Sequence, residues 1–310
     1  MSNLTSPTTP TVTAPTATYT WNWQGQTLSI AYETTGVGEP ILLLPAFSTV
    51  SSRTEMSGLA AQLRPQFQVT TVDFPGFGDS ARPRLDYAPP LYQQFLADFV
   101  RDLIAAPVTL VAAGHAAGYA LKLAATAPDR VSKLILVAPT WRGPLPTMAQ
   151  GQQPWLKGVR ELIRTPLLGQ FLYQLTTTPS FLGFMYRRHV YADVRTLTPD
   201  LLAQKRQITQ QSGARYGAAA FVTGGLDPYL ERSEAIADLQ SLNIPVLIAI
   251  GQDSPPKSKA EMSALAALPH VTSVTLPGTL GMHEEYPTEL AAVILPFLTS
   301  PSSSSALTNK

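Results

Sequence analysis

Residues 108–118 read Val-Thr-Leu-Val-Ala-Ala-Gly-His-Ala-Ala-Gly, an apolar run that ends in small residues and passes directly into the helix-like stretch 116–125. A run apolar at nearly every position, rather than at every second one, is what a strand buried on both faces requires. Similar runs stand at 41–44, 69–72, 134–138 and 246–250, with helix-like stretches at 92–104 and 288–298. This order predicts an α/β fold, a mostly parallel sheet covered by helices. Ahead of it, residues 19–23 and 27–33 flank Gln24-Gly25-Gln26, which predicts an antiparallel hairpin opening the sheet.

The spacing fails once. More than 100 residues separate the run at 134 from the run at 246, far beyond a simple crossover, so an insertion is expected at 141–232 between core segments 19–140 and 233–298. Within it Trp155, Val159, Leu162, Ile163, Leu167, Leu168, Phe171, Leu172 and Leu175 recur at helical spacing, broken at Pro166. The insertion carries 11 Lys and Arg against 5 Asp and Glu, a net of +6, while the whole chain is at +1. Two readings stay open. The apolar faces pack on the main domain with the charges in water, or the segment is a basic, aromatic interfacial lid that touches a membrane or admits a lipophilic ligand.

Composition narrows the classes further. An apolar content of 45% with 14% charged residues supplies a sizeable core, whereas the Thr-, Pro- and Ser-rich ends, 1–18 and 299–310, are expected to be disordered. Near-neutral charge argues against nucleic acid as an obligate partner. Cysteine is absent, which removes thiolate nucleophiles and disulfides, and four separated histidines do not suggest a metal centre. No cofactor is expected. The N-terminus lacks the basic-then-apolar layout of a secretory signal, so a cytoplasmic location is expected, with membrane association through the basic insertion as its variant.

Two motifs carry a family resemblance. Asp73-Phe74-Pro75-Gly76-Phe77-Gly78-Asp79-Ser80 follows a strand, and Gly114-His115-Ala116-Ala117-Gly118 sits at a strand-to-helix turn. Together they resemble the α/β-hydrolase fold over roughly 19–298, with 141–232 as its helical lid. The second motif matches the nucleophile elbow G-x-S-x-G, which implies that Ala116 stands where the nucleophilic serine would be. The family's acid, counted three residues beyond Gly251, falls on Ser254, with Asp253 one residue early. Its histidine, counted seven residues before Pro287, falls on Leu280. His283 then takes an accessory polar position, or becomes the base if three residues are deleted. By the same resemblance the amides of Phe47 and Ala117 form the oxyanion hole and Asp73 braces its glycine-rich turn. Ser48, His115 and Tyr119 are candidates to line the site, with His115 and Tyr119 read alternatively as packed side chains of the core. The stretches 45–49 and 138–141 are similar to those of cyanobacterial and plastid proteins of this fold, which implies a photosynthetic source and no settled activity.

Three functions are therefore weighed. The first is a non-hydrolytic protein with a displaced triad that binds a lipophilic ligand or a protein partner. The second is a serine-type esterase carrying Ala116 in place of serine. The third is cofactor-free catalysis with His115 or His283 as base. Oligomeric state is open in all three.

Overall fold

The computed structural model describes residues 15–104 and 107–300. These form an eight-stranded sheet from β1 (Ala17–Trp23), β2 (Gln26–Thr35), β3 (Pro40–Leu44), β4 (Gln68–Val72), β5 (Val108–Ala113), β6 (Val131–Val137), β7 (Val246–Gly251) and β8 (Val271–Leu276). The spatial order is β1-β2-β4-β3-β5-β6-β7-β8. β1 and β2 form the expected antiparallel hairpin and β2 meets β4 antiparallel, while the other pairs are parallel. The near-continuous apolar runs explain this arrangement: every residue of β5 and β7 is buried, as strands sandwiched between helix layers must be.

The helices are α1 (Ser57–Leu63), α2 (Pro89–Leu103), α3 (Ala116–Thr126), α4 (Pro144–Ala149), α5 (Pro154–Arg164), α6 (Leu167–Thr176), α7 (Pro179–Met185), α8 (Pro199–Thr209), α9 (Ala214–Val222), α10 (Arg232–Gln240), α11 (Pro256–Ala266), α12 (Met282–Glu285) and α13 (Pro287–Thr299). Right-handed crossovers decide where they go. The chain moves from β3 outward to β4 through α1, then back past β3 to β5 through α2, so α1 and α2 lie on opposite faces of the sheet. α1 packs on α13, and α2, α3, α10 and α11 pack side by side in that order. Because the connections after the neighbouring strands β3 and β5 leave on opposite faces, a crevice opens at their carboxyl ends, the topological switch point where ligands bind in folds of this kind.

The ends differ from expectation by a few residues. Ala17 and Thr18 pair with Tyr32 and Ala31 in the hairpin, and α13 runs through Thr299, because backbone pairing and helix packing hold residues whose side chains contribute little. The rest of the expected tails, 1–14 and 301–310, lies outside the described residues.

The 141–232 segment is helical, and the break at Pro166 is real: α5 ends at Arg164, and Pro166 caps α6. Not all of its charges are in water. Lys205 of α8 is buried, with Nζ 3.3 Å from Glu55 and 2.8 Å from Glu284. Burial opposes its charge, but Glu55 and Glu284 outweigh that and hold the ammonium well above its ordinary pKa. Around this bridge Val50, Leu182, Tyr186, Tyr191 and Leu197 form a second apolar cluster that joins the intervening helices to the sheet domain. Replacing Lys205 by Met leaves two carboxylates without their cation. We expect this to lower the unfolding free energy by about 3 kcal/mol in urea titrations, most of it recovered when Glu55→Gln and Glu284→Gln are added.

Candidate functional site

The crevice is built by the segment after β3, the turn after β5, and the segments after β7 and β8. Every residue from Val111 to Ala120 is buried. The tight exit from β5 needs a left-handed residue, and that residue is Gly114, at φ 51°. Its carbonyl accepts the N–H groups of Ala117 at 3.2 Å and Thr140 at 3.0 Å, which ties the turn to the chain leaving β6. A Cβ placed on Gly114 would lie 2.9 Å from Cβ of Ala46. Ala116, by contrast, is the first residue of α3, with His115 before it already in right-handed helical geometry.

This shifts the frame of the motif. In the family elbow the nucleophile occupies the strained position of the strand-to-helix turn. The left-handed backbone here falls two residues before Ala116, within Ala112-Ala113-Gly114-His115-Ala116. The Ala117 amide, expected in the oxyanion hole, is spent on Gly114.

Phe47 turns its ring inward, with centroids 4.4 Å from Phe74, 5.0 Å from Tyr92, 5.5 Å from Tyr119 and 6.0 Å from His115. Ser48 is half-buried, and its Oγ accepts the Val50 N–H at 3.1 Å. His115 and Tyr119 are closed into this core. Nε2 of His115 lies 2.8 Å from the Leu226 carbonyl, which also accepts the Tyr119 hydroxyl at 2.6 Å. His115 Nδ1 has no hydrogen-bond partner among the described residues.

The other two expected catalytic partners do not meet. Asp253 is exposed, and its backbone N–H donates to Gly278. His283 is buried on α12 with Nε2 3.4 Å from Glu55, while its Nδ1 has no hydrogen-bond partner among the described residues. The charged cluster of Glu55, Lys205 and Glu284 has captured this histidine. At the counted positions, Ser254 is buried with an unpartnered Oγ, and Leu280 packs against the main apolar core. Thr279, next to Leu280, donates its hydroxyl to the Val190 carbonyl, and Gly281 donates its N–H to the same oxygen at 2.9 Å. The loop that would present a base is therefore pinned to the helices lying between β6 and β7. Asp73 does brace its turn, accepting from the N–H of Arg53 at 2.5 Å and of Asp79 at 2.8 Å. Gly78, at φ 51°, is required there because any Cβ would collide with the Asp73 carboxylate.

One acidic group at the site was not legible in the sequence. Asp227, 112 residues from His115, places Oδ1 3.6 Å from Nε2 of that histidine. It accepts the Gly143 N–H at 2.7 Å and the Gln152 amide at 3.0 Å. The turn-forming Gly224-Gly225-Leu226-Asp227-Pro228 was its only signal. Burial pushes the Asp227 carboxyl up to about 7 and the His115 imidazole down to about 4, so both favour their neutral forms. The signs oppose. A raised acid contributes stability below the ordinary carboxylate range and loses it as pH rises to about 7. A depressed histidine contributes above its ordinary range and loses it as pH falls to about 4. Asp227→Asn should therefore gain stability relative to the parent chain as pH rises from about 4 to about 7, then level off, in denaturation measured across that range.

Comparison with known proteins agrees with this geometry at the level of fold. The model of the "Alpha/beta hydrolase family" matches residues 41–293. Among solved structures, a thermophilic esterase from Thermogutta terrifontis superposes with a TM-score of 0.70 at 22% identity, over 92% of this chain and 98% of that one. A bromoperoxidase from Bacillus anthracis superposes at 0.70 with 19% identity, over 92% and 100%. A haloalkane dehalogenase from Agrobacterium tumefaciens gives 0.69 at 22%, over 92% and 96%. An uncharacterized protein of Mycobacterium tuberculosis is 33% identical over 108 residues, 35% of this chain, and the match spans about a third (31%) of that relative's length. With the strand order, the switch-point turn and a family match across most of the chain in agreement, the chain belongs to the alpha/beta hydrolase family.

Proposed function

We propose that this chain is a non-hydrolytic member of its family, with residues 141–232 acting as a lid packed over the turn after β5. Gly114 carries the reading. It occupies the left-handed backbone position where the family's nucleophile stands, it has no side-chain atom to attack a carbonyl, and Ala46 crowds the space a Cβ would need. Ser254 and Leu280, at the counted acid and base positions, offer no carboxylate and no imidazole. His283 faces Glu55 rather than a nucleophile. Apart from Asp227, what remains near the turn is apolar and aromatic: Phe47, Tyr119, Phe221 and Leu226 surround His115.

The esterase reading has one point in its favour, the likeness in fold to an esterase. Cofactor-free catalysis through His115 has less, since an imidazole lowered to about 4 is a weak base at neutral pH.

Hydrolysis of a short nitrophenyl ester over pH 6 to 9 tests the reading, with fluorophosphonate labelling alongside. The chain and its Gly114→Ser and Ala116→Ser variants are all expected to match buffer and to remain unlabelled. Turnover in either variant that is lost when His283→Ala is added would establish a disabled esterase instead.

A further inference from the structure

The helix α6, Leu-Leu-Gly-Gln-Phe-Leu-Tyr-Gln-Leu-Thr, carries no charged residue, yet turns its large apolar side chains outward. At ~100° per residue, Leu167, Leu168, Phe171 and Leu175 fall within an arc of about 100°. All four are exposed, Leu167 at 89% and Phe171 at 57%. The opposite side, through Gly169 and Tyr173, is the buried one. Tyr173 and Ile163 pack there on Ala214 and Ala218 of α9. Trp155 at the start of α5 and Phe184 in α7, the two helices that precede and follow α6 and touch it, are also exposed. Isolated exposed apolar residues are ordinary, but a run of this size on a charge-free helix is not.

Charge identifies the occupant. Residues 154–190 contain five Lys and Arg against one Glu, and Lys157, Arg187 and Arg188 are exposed. The single acid, Glu161, lies 3.6 Å from Arg164. Two copies docked through this face would bring like charges together. An anionic lipid surface instead meets the basic flank with opposite charge and the apolar face with acyl chains. No helix among the described residues is long and apolar enough to cross a membrane, so the contact would be interfacial.

We propose that the outward face of α6, flanked by Trp155 and Phe184 and by the cations Lys157, Arg187 and Arg188, seats this protein on anionic phospholipid bilayers. Aromatic and leucine side chains enter the headgroup boundary while the basic residues engage lipid phosphates. The proposal does not depend on whether the elbow is catalytic, and ester turnover does not bear on it.

Flotation of the full chain with phosphatidylcholine vesicles, with and without phosphatidylserine, tests it at low and at physiological salt. The chain is expected to float with the anionic vesicles, and adding them should shift tryptophan emission to the blue in the parent but not in Trp155→Phe. Arg187→Ala/Arg188→Ala should weaken partitioning into anionic vesicles about 30-fold, at about 1 kcal/mol per basic residue near the surface. Leu167→Ser/Phe171→Ser should weaken it at least ~10-fold. Both pairs replace exposed side chains, and unchanged circular dichroism and Tm would exclude unfolding as the cause. Failure to float with either vesicle at low salt would overturn the proposal. So would a concentration-dependent dimer that Leu167→Ser/Phe171→Ser converts to monomer, because the face would then belong to a second copy.

Discussion

The exit of the chain from β5 is the constraint on which the site depends. β5 is buried on both faces, and α3 must start at once to cover the sheet, so a single left-handed residue makes the reversal. Gly114 takes that position, with its carbonyl bonded to the amides of Ala117 and Thr140. That junction aims His115 at Leu226 and sets Phe47 and Tyr119 into one aromatic cluster. A serine at this point would need both a strained backbone and room beside Ala46.

Polar groups near the crevice are used for cohesion. Lys205 bridges Glu55 and Glu284, Glu55 meets His283, and the Val190 carbonyl accepts from both Thr279 and Gly281. The Lys205 and Val190 contacts join the helices between β6 and β7 to the sheet domain and to the loop after β8, and the Glu55–His283 contact ties the segment after β3 to α12. A buried ion pair stabilises little on balance against an apolar replacement but strongly penalises the loss of one member. Such a cluster fixes geometry more than it adds stability. It also holds His283 against Glu55.

The same helices divide their surface into two roles. α8 and the segment around Tyr186 and Tyr191 face inward onto Val50, whereas α6 shows leucine and phenylalanine to the outside. Helical periodicity established that α5 and α6 have an apolar stripe, but periodicity is symmetric with respect to direction. Which side of the stripe meets protein depends on the position of α9, where Ala214 and Ala218 leave room for Tyr173 and Ile163. Of the stripe, Ile163 packs beside Tyr173 on α9, within the 141–232 segment itself, while Trp155, Leu162, Leu167, Leu168, Phe171 and Leu175 are exposed.

By itself the sequence determined the strands from β1 to β7 and the helical segment between β6 and β7, because burial on two faces leaves continuous apolar runs and tight turns leave glycine. β8, exposed or half-buried along its length, leaves no such run, and the family was legible through the resemblance of two motifs. It also determined that no serine stands in the elbow under either frame, since neither Gly114 nor Ala116 is one. Only the tertiary structure decided which of those two small residues takes the left-handed backbone, because Gly114 and Ala116 are equally compatible with a small-residue motif until the end of β5 is known. It alone decided that His283 meets Glu55, 228 residues away, and that Asp227 meets His115. Such pairings depend on where separate elements are brought together by burial of the core, and nothing local to either residue encodes its partner.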